Sequence, residues 1–209
     1  MEIGIIGGTG DLGEGLAIRL AGAGHDVTIG SRDSDKAREH AEMYSEKTGA
    51  DIDGVGNQKA AEKPTAILAV PYRHMVSTVE NLDFEDNVVV SPVVSMEPGP
   101  PFEYVPPEEG SASEELRELL PGSVSLAGAF HNVAAKRLID TDRDLGLDIV
   151  VFGDPLAKAR TKEMVESIDG LRSLDGGSYE NAAMVESITP LLINVGIKNG
   201  LDDLGIQVN

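Results

Sequence analysis

The sequence predicts an α/β protein with a doubly wound parallel sheet and a small C-terminal α/β lobe. Three observations indicate this. A glycine-rich turn follows the first apolar run, apolar runs alternate with helical patterns along most of the 209 residues, and the run at residues 65–70 is apolar without interruption. An unbroken run suits a central parallel strand that is buried on both faces. Alternating strands and helices favour a doubly wound sheet with right-handed crossovers.

The chain begins with a strand, a glycine turn and a helix. Residues 2–6 are strand-like, Gly-Gly-Thr-Gly-Asp-Leu-Gly follows, and apolar residues recur at helical spacing from Leu12. In this context a Gly-x-Gly-x-x-Gly pattern predicts dinucleotide binding. Gly8, Gly10 and Gly13 fill the three positions, which serve the tight turn, the approach of a pyrophosphate and close packing of helix on strand. A turn that binds nothing is the alternative that the bare motif leaves open.

The end of the second predicted strand, residues 25–29, indicates which dinucleotide is bound. In NAD-binding proteins an acidic residue about 20 residues after the glycines holds the ribose 2′-hydroxyl. Here the strand is followed by Ser31 and Arg32, with Lys36 one helical turn further. A hydroxyl, a guanidinium and an ammonium favour the 2′-phosphate of NADP, although Asp33 among them leaves some use of NAD open.

Strand-like apolar runs and helical patterns continue to alternate as far as residue 128. The predicted helix over 33–48 ends at Gly49, a residue typical of a helix C-cap. The predicted helix over 111–120 begins with Ser111 and Glu114 at the spacing of a capping box. The other elements predicted here are strands over 51–55, 65–70, 87–90 and 123–127 and helices over 57–63 and 75–82.

Six strands with alternating helices predict that residues 1–128 form a dinucleotide-binding domain of the Rossmann type. Its ligands are expected at the carboxyl edge of the sheet. Residues 129–209 are predicted to form the smaller lobe, which completes the cleft and supplies a dimer contact. The elements predicted in this lobe are a helix ending at Leu138, a strand over 147–152, a helix over 154–168, a strand over 171–174 and an apolar helix over 182–198.

Three segments break the regular pattern. Residues 95–110 carry five of the eleven prolines and form a long loop, which is either a lid or a solvated excursion. Pro190 should bend or break the apolar helix, because proline lacks the N–H and its ring clashes with the preceding turn. Residues 204–208 are expected to be extended and could fold back over the cleft.

The composition excludes several classes of function. A net charge of −19, from 36 acidic and 17 basic residues, excludes a general nucleic-acid-binding surface. The chain has no cysteine, so disulfides, thiolate metal sites and a cysteine nucleophile are absent. No apolar run approaches the ~20 residues of a membrane span. The first strand begins at Glu2, so no signal peptide is expected and a cytoplasmic location is predicted.

The excess of acidic residues also predicts adaptation to a salty cytoplasm. At molar salt the Debye length falls to about 3 Å, so distant carboxylates no longer repel an anionic cofactor. An ordinary acidic protein is the alternative. In either case Arg32 and Lys36 provide a local positive site for the phosphate.

A nicotinamide cofactor indicates hydride transfer, for which most dehydrogenases also need a proton donor. Of the four histidines only His74 and His131 follow strands at the carboxyl edge, and either could equally be structural. The shortage of acid–base groups favours hydride transfer between two cofactors. The protein then holds two rings face to face at about 3–3.5 Å and donates hydrogen bonds to the developing charge.

Several sequence blocks carry a resemblance to a known family. The glycine turn among them is shared with many reductases, and the later blocks are more specific. The blocks are 7–13, 30–32 with Lys36, 70–74, 91–94, 131–135, 168–172, 186–191 and 204–206. On these blocks the whole chain resembles the coenzyme F420-dependent NADP reductases of archaea and actinobacteria.

The resemblance implies reversible transfer of a hydride between C5 of the deazaflavin and C4 of the nicotinamide. It implies no metal, no covalent intermediate and no catalytic side chain beyond positioning, with His131 as a possible hydrogen-bond donor to the deazaflavin. It also implies a homodimer, which the apolar helix around Pro190 could serve.

The resemblance and the glycine motif together assign residues to each cofactor. The NADP residues are Gly8, Thr9, Gly10, Asp11, Leu12, Gly13, Ser31, Arg32 and Lys36, with Val70, His74 and Ala135 near the nicotinamide. The F420 residues are Ser91, Pro92, Val93, His131, Asn132, Val133 and Gln207.

Two positions depart from the family pattern and could alter the pocket for the deazaflavin. Tyr72 stands where Trp is expected, and Ala134 stands where Pro is expected. Two other functions are compatible with the nucleotide-binding motif. One is an NADP-dependent reductase of a small imine, ketone or metal substrate, which would need a proton donor. The other is a non-catalytic NADP-binding sensor.

Overall fold

The computed structural model describes residues 1–208 and places most of the strands in one sheet. The strands are β1 (Glu2–Ile6), β2 (Asp26–Ser31), β3 (Ile52–Gly56), β4 (Thr65–Leu68), β5 (Val88–Ser91), β6 (Met96–Glu97), β7 (Glu103–Tyr104), β8 (Ser125–Gly128), β9 (Leu147–Gly153) and β10 (Leu171–Asp175). The α-helices are α1 (Asp11–Gly22), α2 (Ser34–Thr48), α3 (Asn57–Ala61), α4 (Tyr72–Val79), α5 (Ala112–Leu119), α6 (Ala135–Ile139), α7 (Pro155–Glu166) and α8 (Ala182–Asn199).

The large sheet has eight strands in the order β3-β2-β1-β4-β5-β8-β9-β10. Neighbours are parallel throughout except for β8 and β9, which are antiparallel. The first six strands have the order of a doubly wound nucleotide-binding sheet, in which the direction of winding reverses between β1 and β4. Ligands bind outside the carboxyl ends of the strands at such a reversal. The predicted doubly wound, mostly parallel sheet is confirmed.

The C-terminal part of the chain extends this sheet. Strand β9 joins β8 through the pairs Ala127–Gly153 and Gly128–Phe152, and β10 pairs with β9 in parallel. Residues beyond 128 therefore share one sheet with the residues before it. The division into two domains at residue 128 stays a prediction, and Asn209, the last residue of the predicted lobe, lies outside the described residues.

The core occupies both faces of the sheet. Val88 and Val90 of β5 belong to the same buried cluster as Leu16 of α1. Val89, which points to the opposite face, belongs to a second cluster with Met75 of α4. Because helices cover both faces, the central strands need apolar residues at every position, and this explains the unbroken apolar runs in the sequence.

The structure corrects two expectations from the sequence. Residues 95–110, predicted as a long loop, contain a short antiparallel hairpin of β6 and β7, in which Met96 pairs with Tyr104. Of the predicted bend or break at Pro190, the break does not occur, because α8 runs for 18 residues without interruption. A proline removes one helical hydrogen bond. Tertiary packing supplies most of the stability of helices in proteins, and Pro190 itself is buried.

The other predicted elements lie within a few residues of the observed ones. The largest shift concerns α4, which begins at Tyr72 and ends at Val79, about three residues earlier than predicted. Pro71 directly precedes this helix with φ −60° and ψ 145°, so its extended backbone sets the start. No helix in residues 1–208 is long and apolar enough to cross a membrane.

Candidate active site

A cleft of about 1170 Å³ opens at the carboxyl edge of the sheet. Its walls come from the glycine turn and the start of α1, the loops after β4, β5 and β8, the β6–β7 hairpin, and α8 with the chain beyond it. The predicted NADP residues that line it are Gly10, Asp11, Leu12, Val70 and Ala135. The predicted F420 residues that line it are Pro92, Val93, His131, Asn132 and Val133. One cleft thus joins both predicted halves of the site.

The glycine turn is held tightly against the ends of β1 and β2. The Gly8 amide lies 3.1 Å from the Ile5 carbonyl and 2.9 Å from the Gly30 carbonyl. A Cβ on Gly8 would lie 2.6 Å from Cβ of Ile29, and a Cβ on Gly13 would lie 2.6 Å from Cα of Gly8. The fold itself therefore requires glycine at these two positions, for the turn and for the packing of helix on strand.

Gly10 differs from the other two glycines of the motif. Its backbone, with φ −91° and ψ 164°, suits any residue. A Cβ there would meet only the Gly7 carbonyl oxygen, at an ordinary 3.5 Å. The fold therefore leaves room for a side chain at this exposed position on the cleft. The absence of a side chain instead suits close approach of a ligand to the backbone.

The beginning of α1 adds a favourable field for an anion. Gly10 is the N-cap and carries no side chain, so the first N–H groups of this 12-residue helix receive no side-chain cap. These groups and the helix dipole favour a phosphate at this end. Thr9, half-buried, completes the turn just before the helix.

The corner at the end of β2 has the chemistry predicted for a 2′-phosphate. Arg32 and Lys36 are exposed, and neither pairs with a carboxylate in the described part of the chain. The Ser31 hydroxyl accepts a hydrogen bond from the Asp33 amide. The Asp33 carboxylate accepts hydrogen bonds from the amides of Asp35 and Lys36, so it caps α2. The Asp33 carboxylate therefore points toward the start of α2, and the two cations outnumber it at this corner.

His131 is buried on the wall of the cleft, 3% exposed. Its ring stacks on Phe152, and neither ring nitrogen has a hydrogen-bond partner within residues 1–208. Burial lowers the pKa of His131 to about 3, so the ring is neutral at pH 7. A neutral imidazole retains one N–H donor and one acceptor nitrogen, and no protein group within residues 1–208 uses either of them.

The backbone around His131 is fixed from two sides. Phe130 has φ 66°, which is unusual for a bulky residue and occurs where a site holds the chain in a strained conformation. The Thr189 hydroxyl of α8 donates a hydrogen bond to the His131 carbonyl. The Asn132 amide group donates to the Asp148 carbonyl at 2.7 Å, so this side chain serves the fold.

The remaining predicted site residues lie outside the lining of the cleft. Ser91 is fully buried, and its hydroxyl accepts a hydrogen bond from the Val93 amide. His74 lies on α4 with its Nε2 3.2 Å from Nε of Arg73, and Arg73 lines the cleft in its place. Gln207 is exposed and does not line the cleft. The assigned cofactor contacts of these three residues stay predictions.

Several cleft residues are not among those assigned to a cofactor from the sequence, although Tyr72 is noted there as a departure that could alter the pocket. Tyr72 lines the cleft, and its hydroxyl donates a hydrogen bond to the Glu115 carboxylate at 2.8 Å. The Trp expected at this position has no hydroxyl that could make this bond. The hairpin contributes Phe102, and α8 contributes Leu192. The proline-rich stretch and the apolar helix were signals in the sequence, but neither shows which residues reach the site.

Arg19 forms hydrogen bonds that join α1, behind the glycine turn, to the segment that follows His131. From α1 its Nε donates to the Leu138 carbonyl at 2.9 Å, and its Nη2 donates to the carbonyls of Asp140 at 2.5 Å and Arg143 at 3.1 Å. Gly15 allows α6 to approach, since a Cβ there would lie 2.6 Å from Cβ of Leu138. The helix behind the glycine turn and the segment after His131 are therefore held at a fixed spacing.

Comparisons with known proteins show which sequences this chain resembles. A family model described as NADP oxidoreductase, coenzyme F420-dependent, matches residues 2–95. The F420-dependent NADP reductase of Methanothermobacter marburgensis is 37% identical over 219 residues, which cover 100% of this chain and 98% of that protein. The enzyme of the same name from Methanocaldococcus jannaschii is 38% identical over 220 residues, with 100% and 98% covered.

A solved structure shows the same fold. It is a protein of Arthrobacter sp. FB24 described as an F420-dependent NADP-reductase, and it superposes with a TM-score of 0.82. The comparison covers 100% of this chain and 99% of that one at 21% sequence identity. At this identity the likeness extends to the fold.

Proposed function

The chain belongs to the family of F420-dependent NADP reductases, and on that premise we propose how its cleft carries out the reaction. The enzyme is an oxidoreductase that uses NADP and coenzyme F420. It transfers a hydride reversibly between C5 of the reduced deazaflavin and C4 of the nicotinamide. The observation that carries the proposal is the single cleft that joins the glycine turn to the segment around His131.

The glycine turn and the end of β2 are assigned to NADP. The pyrophosphate lies over Gly10 and the first turn of α1, where the backbone is open and the N–H groups receive no side-chain cap. The 2′-phosphate lies at Arg32 and Lys36, with the Ser31 hydroxyl beside them. The proposed NADP residues remain Gly8, Thr9, Gly10, Asp11, Leu12, Gly13, Ser31, Arg32, Lys36, Val70, His74 and Ala135.

The opposite wall is assigned to the deazaflavin of F420. We assign it to the segments 91–93 and 131–133, of which Pro92, Val93 and His131 line the cleft. Gln207 stays in the proposal as a contact for the part of F420 that extends out of the cleft, which suits its exposure.

The protein contributes positioning and one hydrogen bond, because F420 and NADP supply the hydride chemistry when bound. Hydride transfer from reduced F420 to NADP⁺ also releases one proton from the deazaflavin, which solvent can accept, so the reaction needs no side-chain acid. The neutral His131 is free to donate its N–H to charge that develops on the deazaflavin. Burial keeps this imidazole neutral, so the donor does not titrate near pH 7.

Spectrophotometry tests the proposed reaction. The enzyme is mixed with reduced F420 and NADP⁺ at low and at molar KCl, and absorbance near 420 nm is followed. A rise that requires both NADP⁺ and enzyme supports direct transfer between the two cofactors. No rise at either salt, with NADPH binding still detectable, would favour a reductase of a small substrate or an NADP-binding sensor.

We also propose a cytoplasmic homodimer formed through α8. This helix exposes large apolar side chains, with Met184 62%, Leu191 58% and Ile197 55% accessible in the single chain. Such exposure on one helix is typical of an interaction surface. Light scattering after size exclusion should give twice 22.0 kDa. Leu191→Glu should give the monomer, and a wild-type mass of one chain would refute the dimer.

The net charge of −19 supports a proposal of salt adaptation. If salt only screens the acidic surface, activity should rise equally with KCl, NaCl and other salts that do not bind, because screening depends on ionic strength. Recovery with one cation alone would instead indicate a bound ion.

A further inference from the structure

We propose that Asp148 and Arg172 are positioning residues that act through the C-terminal tail, residues 200–208, to hold the F420 side of the cleft. The inference rests on the proposed function. Arg172 ends the sequence block 168–172, and the tail contains the block 204–206. These blocks are distant in the sequence and the proposed reaction uses neither, yet the structure brings them together.

The centre of the arrangement is a two-pronged ion pair. Arg172 of β10 places Nε 2.6 Å from Oδ1 of Asp148 and Nη2 2.7 Å from Oδ2. Asp148 is nearly fully buried on β9, whereas the Arg172 side chain is 58% exposed. The two parallel hydrogen bonds fix the orientation of both side chains, whereas a lysine would make a single contact that leaves the orientation free.

The pair binds the tail through its backbone. The Val208 amide donates to Oδ2 of Asp148 at 2.6 Å, and Nη2 of Arg172 donates to the Val208 carbonyl at 2.5 Å. The Asp148 amide donates to the Ile206 carbonyl at 2.8 Å. The tail belongs to no helix or strand beyond α8, so these bonds hold its far end in place.

The near end of the tail forms a wall of the cleft. Residues 201–204 line it, and Gly205 lies against the segment that carries His131. A Cβ on Gly205 would lie 2.5 Å from Cδ2 of Leu147 and 3.2 Å from the Asn132 carbonyl. A further bond joins Nη1 of Arg137 to the Asp203 carbonyl at 3.3 Å. Loss of the ion pair should therefore loosen the wall beside residues 131–133 and leave the glycine turn unchanged.

Steady-state kinetics of three variants tests this route. Arg172→Ala should raise KM for reduced F420 about fivefold to tenfold and change KM for NADP⁺ less than twofold. Removal of residues 205–209 should raise KM for reduced F420 at least as much, because it also removes Gln207, and should leave KM for NADP⁺ within twofold. If Arg172 acts through the tail, Arg172→Ala combined with the removal should raise KM for reduced F420 no further than the removal alone. Independent effects that multiply in the combined variant, or equal effects on both substrates, would overturn the proposal.

A matched control separates tail positioning from general loss of stability. Lys158→Ala breaks the 2.8 Å ion pair of Lys158 with Asp175, which lies on the same strand as Arg172. It should leave both KM values unchanged. Arg172→Lys keeps the charge without the fork and should give an intermediate KM for F420, even if Arg172→Ala folds poorly.

Hydrogen exchange gives a second measurement that needs no F420. Arg172→Ala should remove the protection of the Val208 amide, measured in peptides that cover residues 205–208, and Lys158→Ala should not. Unchanged protection would refute the ion pair as the anchor of the tail, and lost protection with unchanged KM for F420 would refute its role in positioning. Lost protection in an enzyme that does not oxidise reduced F420 would instead refute the proposed function.

Discussion

The imidazole of His131 stacks on the ring of Phe152, with centroids 5.6 Å apart and planes 20° from parallel. Phe152 belongs to β9, which is added to the sheet beyond the nucleotide-binding strands. The ring that faces the cleft is therefore supported by the C-terminal part of the chain. This contact also explains the neutral state of His131, because an apolar ring and full burial disfavour the imidazolium.

His131 should make the stability of the enzyme depend on pH. Its pKa rises from about 3 in the folded chain to about 6.5 in the unfolded chain, so the unfolded state binds more protons below pH 6.5. Between pH 7 and pH 5 this should cost about 2 kcal/mol in the free energy of unfolding. His131→Phe removes the titration and keeps a ring on Phe152. Urea unfolding at both pH values should show that the variant loses less unfolding free energy between pH 7 and pH 5 than the wild type. Equal losses would contradict a neutral buried imidazole.

Gly10→Ala should separate binding from folding. The added Cβ has room in the fold, so the free energy of unfolding should change by less than about 0.5 kcal/mol. The same Cβ would obstruct the proposed pyrophosphate site, and KM for NADP⁺ should rise at least tenfold.

Gly13→Ala is the matched comparison for that variant. Its Cβ would lie 2.6 Å from Cα of Gly8, so it should destabilise the fold by about 1–3 kcal/mol. A normal KM for NADP⁺ in the Gly10→Ala enzyme would contradict the proposed position of the pyrophosphate over Gly10.

Arg32→Ala should weaken NADP⁺ far more than NAD⁺. Hydrogen bonds to charged groups contribute about 1.5–3 kcal/mol, so KM for NADP⁺ should rise tenfold or more. KM for NAD⁺, which lacks the 2′-phosphate, should change less than twofold. Arg38→Ala is the control, since Arg38 lies on the same helix as Lys36 and pairs with Asp35. Equal changes for both dinucleotides would refute the assignment of this corner.

Glu186 should be important for the stability of the hairpin side of the cleft. This fully buried carboxylate accepts hydrogen bonds from the amides of Ala112 and Ser113, the Ser113 hydroxyl and the Tyr104 hydroxyl. It thereby joins α8 to the start of α5 and to β7. Burial is the main cause that raises the pKa of Glu186, although these donors oppose the shift.

Glu186→Gln should cost about 1–3 kcal/mol of unfolding free energy, because an amide NH₂ would face donors that now reach a carboxylate oxygen. Denaturant unfolding measures this loss. Glu118→Gln is the control, since Glu118 is exposed on the helix that Glu186 caps. If the two variants were equally stable, the four hydrogen bonds would contribute nothing to the fold.

The sheet was predictable because its signals are local. Glycine turns and unbroken apolar runs mark β1, β4 and β5, and the strand ends fix which loops meet at the carboxyl edge. The Gly10 turn and the His131 segment were placed on one edge by this logic, and the structure brings them into one cleft.

The unpredicted parts depend on tertiary contacts. The hairpin between Met96 and Tyr104 is only two pairs long, too short for a recognisable alternation. The continuity of α8 through Pro190 depends on packing that no local pattern reports. The tail lines the cleft with residues 201–204, whereas Gln207 lies beyond it, because Asp148 and Arg172 fix the backbone at Ile206 and Val208.

Isotope transfer is the most direct test of the central claim that one cleft passes a hydride between two cofactors. The enzyme is given oxidised F420 and NADPH carrying deuterium on the transferred C4 position, in ordinary water. Direct transfer should give reduced F420 with one deuterium at C5 from each turnover, as measured by mass spectrometry. Reduced F420 whose C5 hydrogen comes from the solvent would contradict direct transfer.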